Sequence, residues 1–484
     1  MADMTIENGV LVKYSGDEKS VVIPPSVTCI GSAAFLGRDA MTGVVIPSSV
    51  TRIEDKAFWG CSGLEEIDIP SSVTSIGDAA FYWCTGLKAV MIPLSVTDIG
   101  HSAFHGCFGL REINVPASVT NIGPMAFSGC TKLCKIMVDD KNPGYSSQDG
   151  VLFNKSKDTL LQFPCNSSVS EYSIPPSVTV IGEGAFSDCV TLTKVVIPPS
   201  VTSIGDSAFS GCKSLTEIVI PPSVTKIGAW AFHFCTGITE INIPASVTDI
   251  GNPAFSDCFG LEEISVDRDN GYFSSRDGVL FDKNKKTILK YPESRPFSYY
   301  TIPSSVTRIG NKAFINCFEL DKITIPPSVT EIGNLAFSNC RELTEIDIPS
   351  SVENIGDHAF SACAALDSVF IPSSVTSIGW GVFSDCSCLV EIYIPQTVTE
   401  IGDEAFSGCS SLTDVTIPPS VTRIGDCAFY DCSSLFEITI PPSVTEIGAV
   451  AFHGCDSLTE IRLPRSLSES VVHDIPESCR IVYT

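Results

Sequence analysis

Residues 220–235 read Ile220-Pro221-Pro222-Ser223-Val224-Thr225-Lys226-Ile227-Gly228-Ala229-Trp230-Ala231-Phe232-His233-Phe234-Cys235. The frame returns every 23 residues: Ile197-Pro198 precedes it by that distance and Ile243-Pro244 follows by the same. Strict self-similarity at such a period marks a solenoid, in which each repeat is one coil that buries its apolar face only by stacking on its neighbours. Within a coil, Leu215, Ile218 and Ile220 point inward while Glu217 and Val219 alternate outward, the period-2 pattern of a short strand with one buried face. Pro221 has no N–H for a sheet ladder and ends the strand. Val224 and Ile227 return to the core, and Gly228 marks a sharp bend that positive φ would ease. Ala231-Phe232 closes the coil in a helical or 3-10 turn, and Cys235 completes it. Successive strands then stack in parallel about 4.8 Å apart, as one long sheet with a ladder of like residues at every inward position.

This unit resembles the leucine-rich repeat of the BspA-like type, which reads roughly L-x-x-I-x-I-P-x-S-V-x-x-I-G-x-x-A-F-x-x-C. Leu412, Ile417, Pro418, Ser420, Val421, Ile424, Gly425, Ala428, Phe429 and Cys432 match it position by position. The likeness runs from about residue 21 to 464 and recurs sixteen times at the Phe position, from Phe35 to Phe452. It implies a curved, right-handed leucine-rich-repeat horseshoe with a long parallel β-sheet. It also implies a cell-surface or secreted protein of bacteria or protozoa that attaches to host or matrix proteins.

The repeat sets the organisation. A hairpin cap is expected over 1–22, where Asn8-Gly9 joins two apolar runs, and a first block of coils over 23–137. The strand anchors Val138 and Ile174 then lie 36 residues apart, as do Val266 and Ile302, so 138–173 and 266–301 are irregular coils with 13 extra residues each. Both carry one motif, Asp149-Gly150-Val151-Leu152-Phe153 and Asp277-Gly278-Val279-Leu280-Phe281, read as a hairpin that bulges from the surface or alters the curvature. Blocks of regular coils fill 174–265 and 302–464, and a C-terminal cap closes 465–484.

The chain has 484 residues, 44% of them hydrophobic and 18% charged, which is the composition of an ordered protein. Its formal charge of −26 argues against nucleic acid and anionic membranes, since phosphate neutralisation needs clustered Lys and Arg. A basic partner or multivalent cations fit better, beside the reading of acid kept for solubility on an elongated object. No run of 18 apolar residues is present to insert in a membrane. Met1-Ala2-Asp3-Met4-Thr5 has no basic segment followed by an apolar stretch, so a cytoplasmic location stays open beside the surface location that the resemblance implies.

Of the 21 cysteines, fifteen occupy one repeat position, from Cys61 to Cys455, with Arg38 breaking the series in the first coil. Parallel side chains on stacked coils are poorly placed for disulfides, so the ladder reads as buried free thiols. Cys29, Cys134, Cys165, Cys388, Cys427 and Cys479 fall off it. No zinc spacing, nucleophile elbow, phosphate loop or dinucleotide fingerprint occurs, and neither an enzyme nor a cofactor is expected. His105, His233 and His453 share one position beside the Phe but belong to different coils. Asn154-Lys155-Ser156 and Asn166-Ser167-Ser168 match the glycosylation sequon.

Binding is expected on the outward strand positions. The first outward column is acidic in ten of fifteen coils: Glu66, Glu112, Glu217, Glu240, Glu263, Glu345, Glu391, Asp414, Glu437 and Glu460. Lys135, Lys194 and Lys322 interrupt it. One reading is a docking strip for cations or a basic protein; the other is a solvated face copied by repeat duplication. In the second, more variable column, Phe370 and Tyr393 are neighbours and form the leading anchor candidate. An intracellular scaffold, or a spacer or self-assembling rod, remains the alternative to adhesion.

Overall fold

The computed structural model describes residues 3–167, 169–467 and 475–484. The chain divides into two compact units. One comprises Met1–Thr239 with Pro244–Cys258; the other comprises Glu240–Ile243 with Phe259–Thr484. Each is a β-solenoid.

The coil from Leu412 to Cys432 shows how sequence builds the unit. Strand Asp414–Thr416 pairs in parallel with Glu437–Thr439 of the next coil, Asp414 opposite Glu437 and Thr416 opposite Thr439. Val415 is buried and its neighbours are exposed, as alternation requires. Past Pro418 the chain turns on a Val421 N–H to Pro418 C=O bond of 3.0 Å. It then forms a second strand, Arg423–Ile424, paired in parallel with Glu446–Ile447. Each coil thus feeds two ladders, one on each side of the core, where the sequence had suggested a single sheet. Two-residue strands are too short to show a period of two. Leu412, Val421, Ile424, Ala428, Phe429 and Cys432 are fully buried between them.

The far side closes through i→i+3 bonds, Tyr430 N–H to Cys427 C=O at 3.0 Å and Cys432 N–H to Phe429 C=O at 3.3 Å. It does not continue as a helix because Cys427 (φ 52°) and Asp431 (φ 55°) are left-handed. Among the described residues the one helical element is the 3-10 turn Arg465–Leu467. The glycine after the second strand has a different role from the one expected. Positive φ falls at Trp230 (58°) and Phe234 (55°), and not at Gly228. A Cβ on Gly228 would instead lie 2.4 Å from the backbone N of Asp206 in the preceding coil. Gly228 is glycine because coils meet there backbone to backbone.

The residue after that glycine stitches the stack. Asp403 Oδ1 accepts the N–H of Asp426 at 3.0 Å, and Asp426 Oδ1 accepts that of Ala449 at 2.7 Å. Phe rings stack through each unit: Phe58 on Phe81 at 5.2 Å and 3°, Phe337 on Phe360 at 5.3 Å and 2°. Ladder thiols lie beneath them, and the Sγ of Cys432 donates to the Phe406 carbonyl at 3.2 Å.

The irregular coils join this pattern. Tyr145–Gln148 and Val151–Asn154 form an antiparallel hairpin through Asp149 (φ 51°) and Gly150 (φ 81°), and Thr159–Gln162 then resumes parallel pairing with Val180–Ile181. Phe273–Arg276, Val279–Asp282 and Thr287–Lys290 repeat the arrangement. The Val-Leu-Phe strands do not bulge outward: Val151, Leu152, Phe153, Val279, Leu280 and Phe281 are all core. Phe163 and Tyr291 take the Phe position, stacking on Phe186 at 5.2 Å and Phe314 at 5.0 Å.

Candidate functional site

The outward columns fall where alternation places them, but the acidic one is not uniform. Each lysine that interrupts it neutralises the glutamate of a neighbouring coil. Lys135 Nζ lies 3.2 Å from Glu112, Lys194 Nζ lies 2.6 Å from Glu217, and Lys322 bonds to Glu345. The hydrogen bonds to Glu217 and Glu345 push the ammonium groups of Lys194 and Lys322 above their ordinary pKa. Glu217 and Glu345 are therefore half of exposed ion pairs. Glu240 stands opposite Glu263 in the parallel ladder, without a basic group within 4.0 Å among the described residues.

The longest unpartnered run is in the second unit. Glu391, Asp414 and Glu437 follow one another in register, and none has a Lys, Arg or His nitrogen within 4.0 Å among the described residues. The run is bounded by basic groups. Lys322 holds Glu345 on one side, and Glu460 on the other is met by Arg462 at 2.8 Å and Arg480 at 3.6 Å. Like charges on adjacent strands disfavour one another, so this stretch is held by the core beneath it and not by its own contacts.

Beside that run stands the aromatic pair. Phe370 and Tyr393 are register partners whose rings stack 4.8 Å apart at 2°, and they remain 60% and 51% exposed. Strand alternation directs both side chains away from the core, where Val369 and Ile392 are buried. Together with Asp347, Ser368 and Thr416 they line a shallow groove of about 610 Å³ that also takes in Glu345, Glu391 and Asp414. Of the nine residues expected to bind, six (Glu345, Phe370, Tyr393, Glu391, Asp414 and Glu437) are gathered on one sheet face, strands Glu345–Asp347 through Glu437–Thr439. Glu217 belongs to the first unit, while Glu240 and Glu263 form a separate two-stranded ladder.

No group of three His, Cys, Asp or Glu side chains that could hold a metal ion occurs among the described residues. His105 is pressed into the turn, and burial lowers its pKa to about 4. One alignment was invisible in the sequence: Ser210 Oγ lies 3.4 Å from His233 Nδ1, and His233 Nε2 lies 2.8 Å from Asp257. The order of groups is that of an acyl-transfer relay, with the roles of the two ring nitrogens exchanged. The adjoining N–H groups are committed, however, Ser210 to Ser207 C=O at 3.0 Å and Gly211 to His233 C=O at 2.7 Å, so neither can cradle an oxyanion.

The thiol ladder is buried, and desolvation raises the pKa of Cys61 and Cys130 to about 12. One ladder residue, Cys189, is bonded to the off-ladder Cys165. Cys134 and Cys388 are exposed free thiols. In the first sequon, the Asn154 amide donates to Asp158 at 2.6 Å while its carbonyl accepts the N–H of Thr159, so glycan attachment would break a formed turn. In the second, Ser168 lies outside the described residues.

Comparison with known proteins agrees with this architecture. The BspA type leucine rich repeat region matches in six copies over residues 6–134, 162–277, 291–413 and 399–473, so the chain belongs to that family. Among solved structures, it is similar to a leucine-rich repeat protein from Eubacterium ventriosum, with 24% identity, 94% of this chain and 92% of that one covered, and a TM-score of 0.51. The pneumococcal vaccine antigen PcpA gives 23% identity over 70% and 74% of the two chains, with a TM-score of 0.48. A leucine rich cell surface protein from Faecalibacterium prausnitzii gives 27% over 96% and 94%, with a TM-score of 0.34. No curated protein matched. No described helix is long and apolar enough to cross a membrane.

Proposed function

We propose that the chain is a non-catalytic protein-binding scaffold that docks a basic segment of another protein on the outward sheet face of its second unit. The observation that carries this reading is the exposed Phe370–Tyr393 pair beside three successive carboxylates that have no basic partner among the described residues. Interfaces draw most of their energy from a few desolvated aromatic anchors, and charge complementarity steers encounter and selects partners. A strip left acidic between two neutralised ends supplies both. Adhesion, with a host or matrix protein as partner, is the biological form we assign to it.

The test is crosslinking with mass-spectrometric mapping, on matrix extract and on whole-cell lysate. A Glu391→Lys, Asp414→Lys, Glu437→Lys variant that melts like the wild type runs beside it. The reading predicts a salt-sensitive partner crosslinked around residues 368–437 and lost in the variant. A partner retained by the variant, or crosslinked only elsewhere, would overturn it. A partner found only in lysate would remove adhesion and leave the scaffold.

A further inference from the structure

Resting on that docking reading, we infer that the groove at Phe370 and Tyr393 is an arginine-reading site, which takes a guanidinium side chain of the partner in preference to an ammonium of equal charge. Three observations converge. The first is which ring faces stay open. The two rings cover one another on one face each, so each keeps its far face along the direction of the coils. Register continues the column past Tyr393 with Thr416, a side chain too short to cover a ring, and past Phe370 with Asp347.

The second is the position of the charges. Glu391 and Asp414, in the adjoining column, are register neighbours on the strands that carry Tyr393 and Thr416. A cation lying on the far face of Tyr393 therefore finds two carboxylates at its edge. A planar guanidinium can use the ring face and the carboxylates together, stacking on one while its N–H groups fork to the other. A lysine ammonium is a compact, strongly hydrated point charge that gains from the carboxylates but cannot stack flat on the ring, so it gains less there than a guanidinium.

The third is the chain's own practice. Arg295 lies over Tyr291, Phe297 and Tyr300 at 5.1, 5.0 and 5.9 Å, and Arg341 over Phe318 at 5.5 Å, beside one lysine contact, Lys56 over Trp59 at 5.3 Å, so arginine takes the larger share of these ring faces among the described residues. By contrast, the lysines of the acidic column, Lys135, Lys194 and Lys322, meet glutamates.

The test measures fluorescence anisotropy of labelled Arg-Gly and Lys-Gly repeat peptides, matched in length and charge, against the whole protein at low and physiological salt. The wild type is expected to bind the arginine peptide about fivefold more tightly, the size of an exposed ring–cation contact. A Phe370→Leu, Tyr393→Leu variant should bring the two peptides level while keeping the salt dependence. A Glu391→Gln, Asp414→Asn variant should weaken both. Equal affinities in the wild type, or a preference that survives loss of both rings, would overturn arginine reading and leave basic docking intact. Absence of binding by either peptide would overturn both.

Discussion

At the scale of single residues, glycine in this fold answers to two constraints that substitution can separate. At Gly228 a methyl group would sit 2.4 Å from backbone in the neighbouring coil, whereas at Gly43 nothing lies within 4 Å of the same position. Gly228→Ala is expected to destabilise by about 2–3 kcal/mol, the scale of an overpacked interior. Gly43→Ala should be neutral or stabilise by up to about 1 kcal/mol by restricting the unfolded chain. Urea unfolding of both variants checks this, and equal effects would refute the backbone-contact account. The thiol ladder makes a pH prediction. Burial raises Cys61 and Cys130 from an ordinary 9.0 to about 12. Below pH 9 both the folded and the unfolded chain keep these thiols protonated, so their full contribution is present. Between about 9 and 12 only the unfolded chain ionises, and stability falls with rising pH by up to about 1.4 kcal/mol per unit for each thiol. A Cys61→Ala, Cys130→Ala variant should therefore lose less stability than the wild type across that window. At pH 8 a thiol reagent should label Cys134 and Cys388 in the folded protein and reach the ladder only on unfolding.

Among elements, the regular coil was largely legible because a period of 23 lets each position be read sixteen times over. Inward Leu, Ile, Val and Phe, the strand-ending proline and the acidic column all emerged in that way. The second ladder did not, since strands such as Lys226–Ile227 carry only one inward residue. Nor did the left-handed positions, which are held by Lys56, Trp230 and Cys427 alike and so leave no compositional trace. The lysine–glutamate pairs could have been read, because Lys194 and Glu217 stand one period apart in the same column. In the irregular coils the loss of phase hid Asn142. Its side chain is fully buried, donates to the Pro116 and Val119 carbonyls at 2.8 and 2.9 Å, and accepts the N–H groups of Gly144 and Tyr145 at 2.9 and 2.8 Å. Asn142→Ala strands the N–H groups of Gly144 and Tyr145 and the Val119 carbonyl at once, while the Pro116 carbonyl keeps the Val119 N–H at 3.2 Å. The expected cost is about 3–5 kcal/mol from lost and unsatisfied bonds, read by thermal or urea unfolding. A cost below about 1 kcal/mol would show that water replaces the side chain and that it is not what fastens the hairpin to the preceding coil.

For the whole molecule, stability and charge are set against each other. A solenoid adds its coils in one dimension, and with each coil it adds outward carboxylates. The result is 56 acidic against 30 basic residues. Two electrostatic contributions then oppose each other when salt is added. Exposed pairs such as Lys88–Glu65 at 2.6 Å and Arg423–Glu400 at 2.7 Å weaken on screening, but such pairs contribute little to begin with. Repulsion along unpaired runs such as Glu391-Asp414-Glu437, and from a net −26 overall, weakens as well, and that repulsion favours the unfolded chain. Raising ionic strength from about 0.01 to 1 M shortens the screening length from roughly 30 to 3 Å, below the ladder spacing of about 4.8 Å. Because the acidic excess outweighs the pairs, the thermal midpoint should rise with sodium chloride over that range. Sodium sulfate at matched ionic strength separates screening from surface exclusion, which strengthens apolar burial on its own account. A midpoint that falls with chloride would mean that the lysine and arginine bridges, and not the acidic columns, dominate the surface energetics. In that case the unpaired strip would be held at no cost, and its retention would no longer point to a partner.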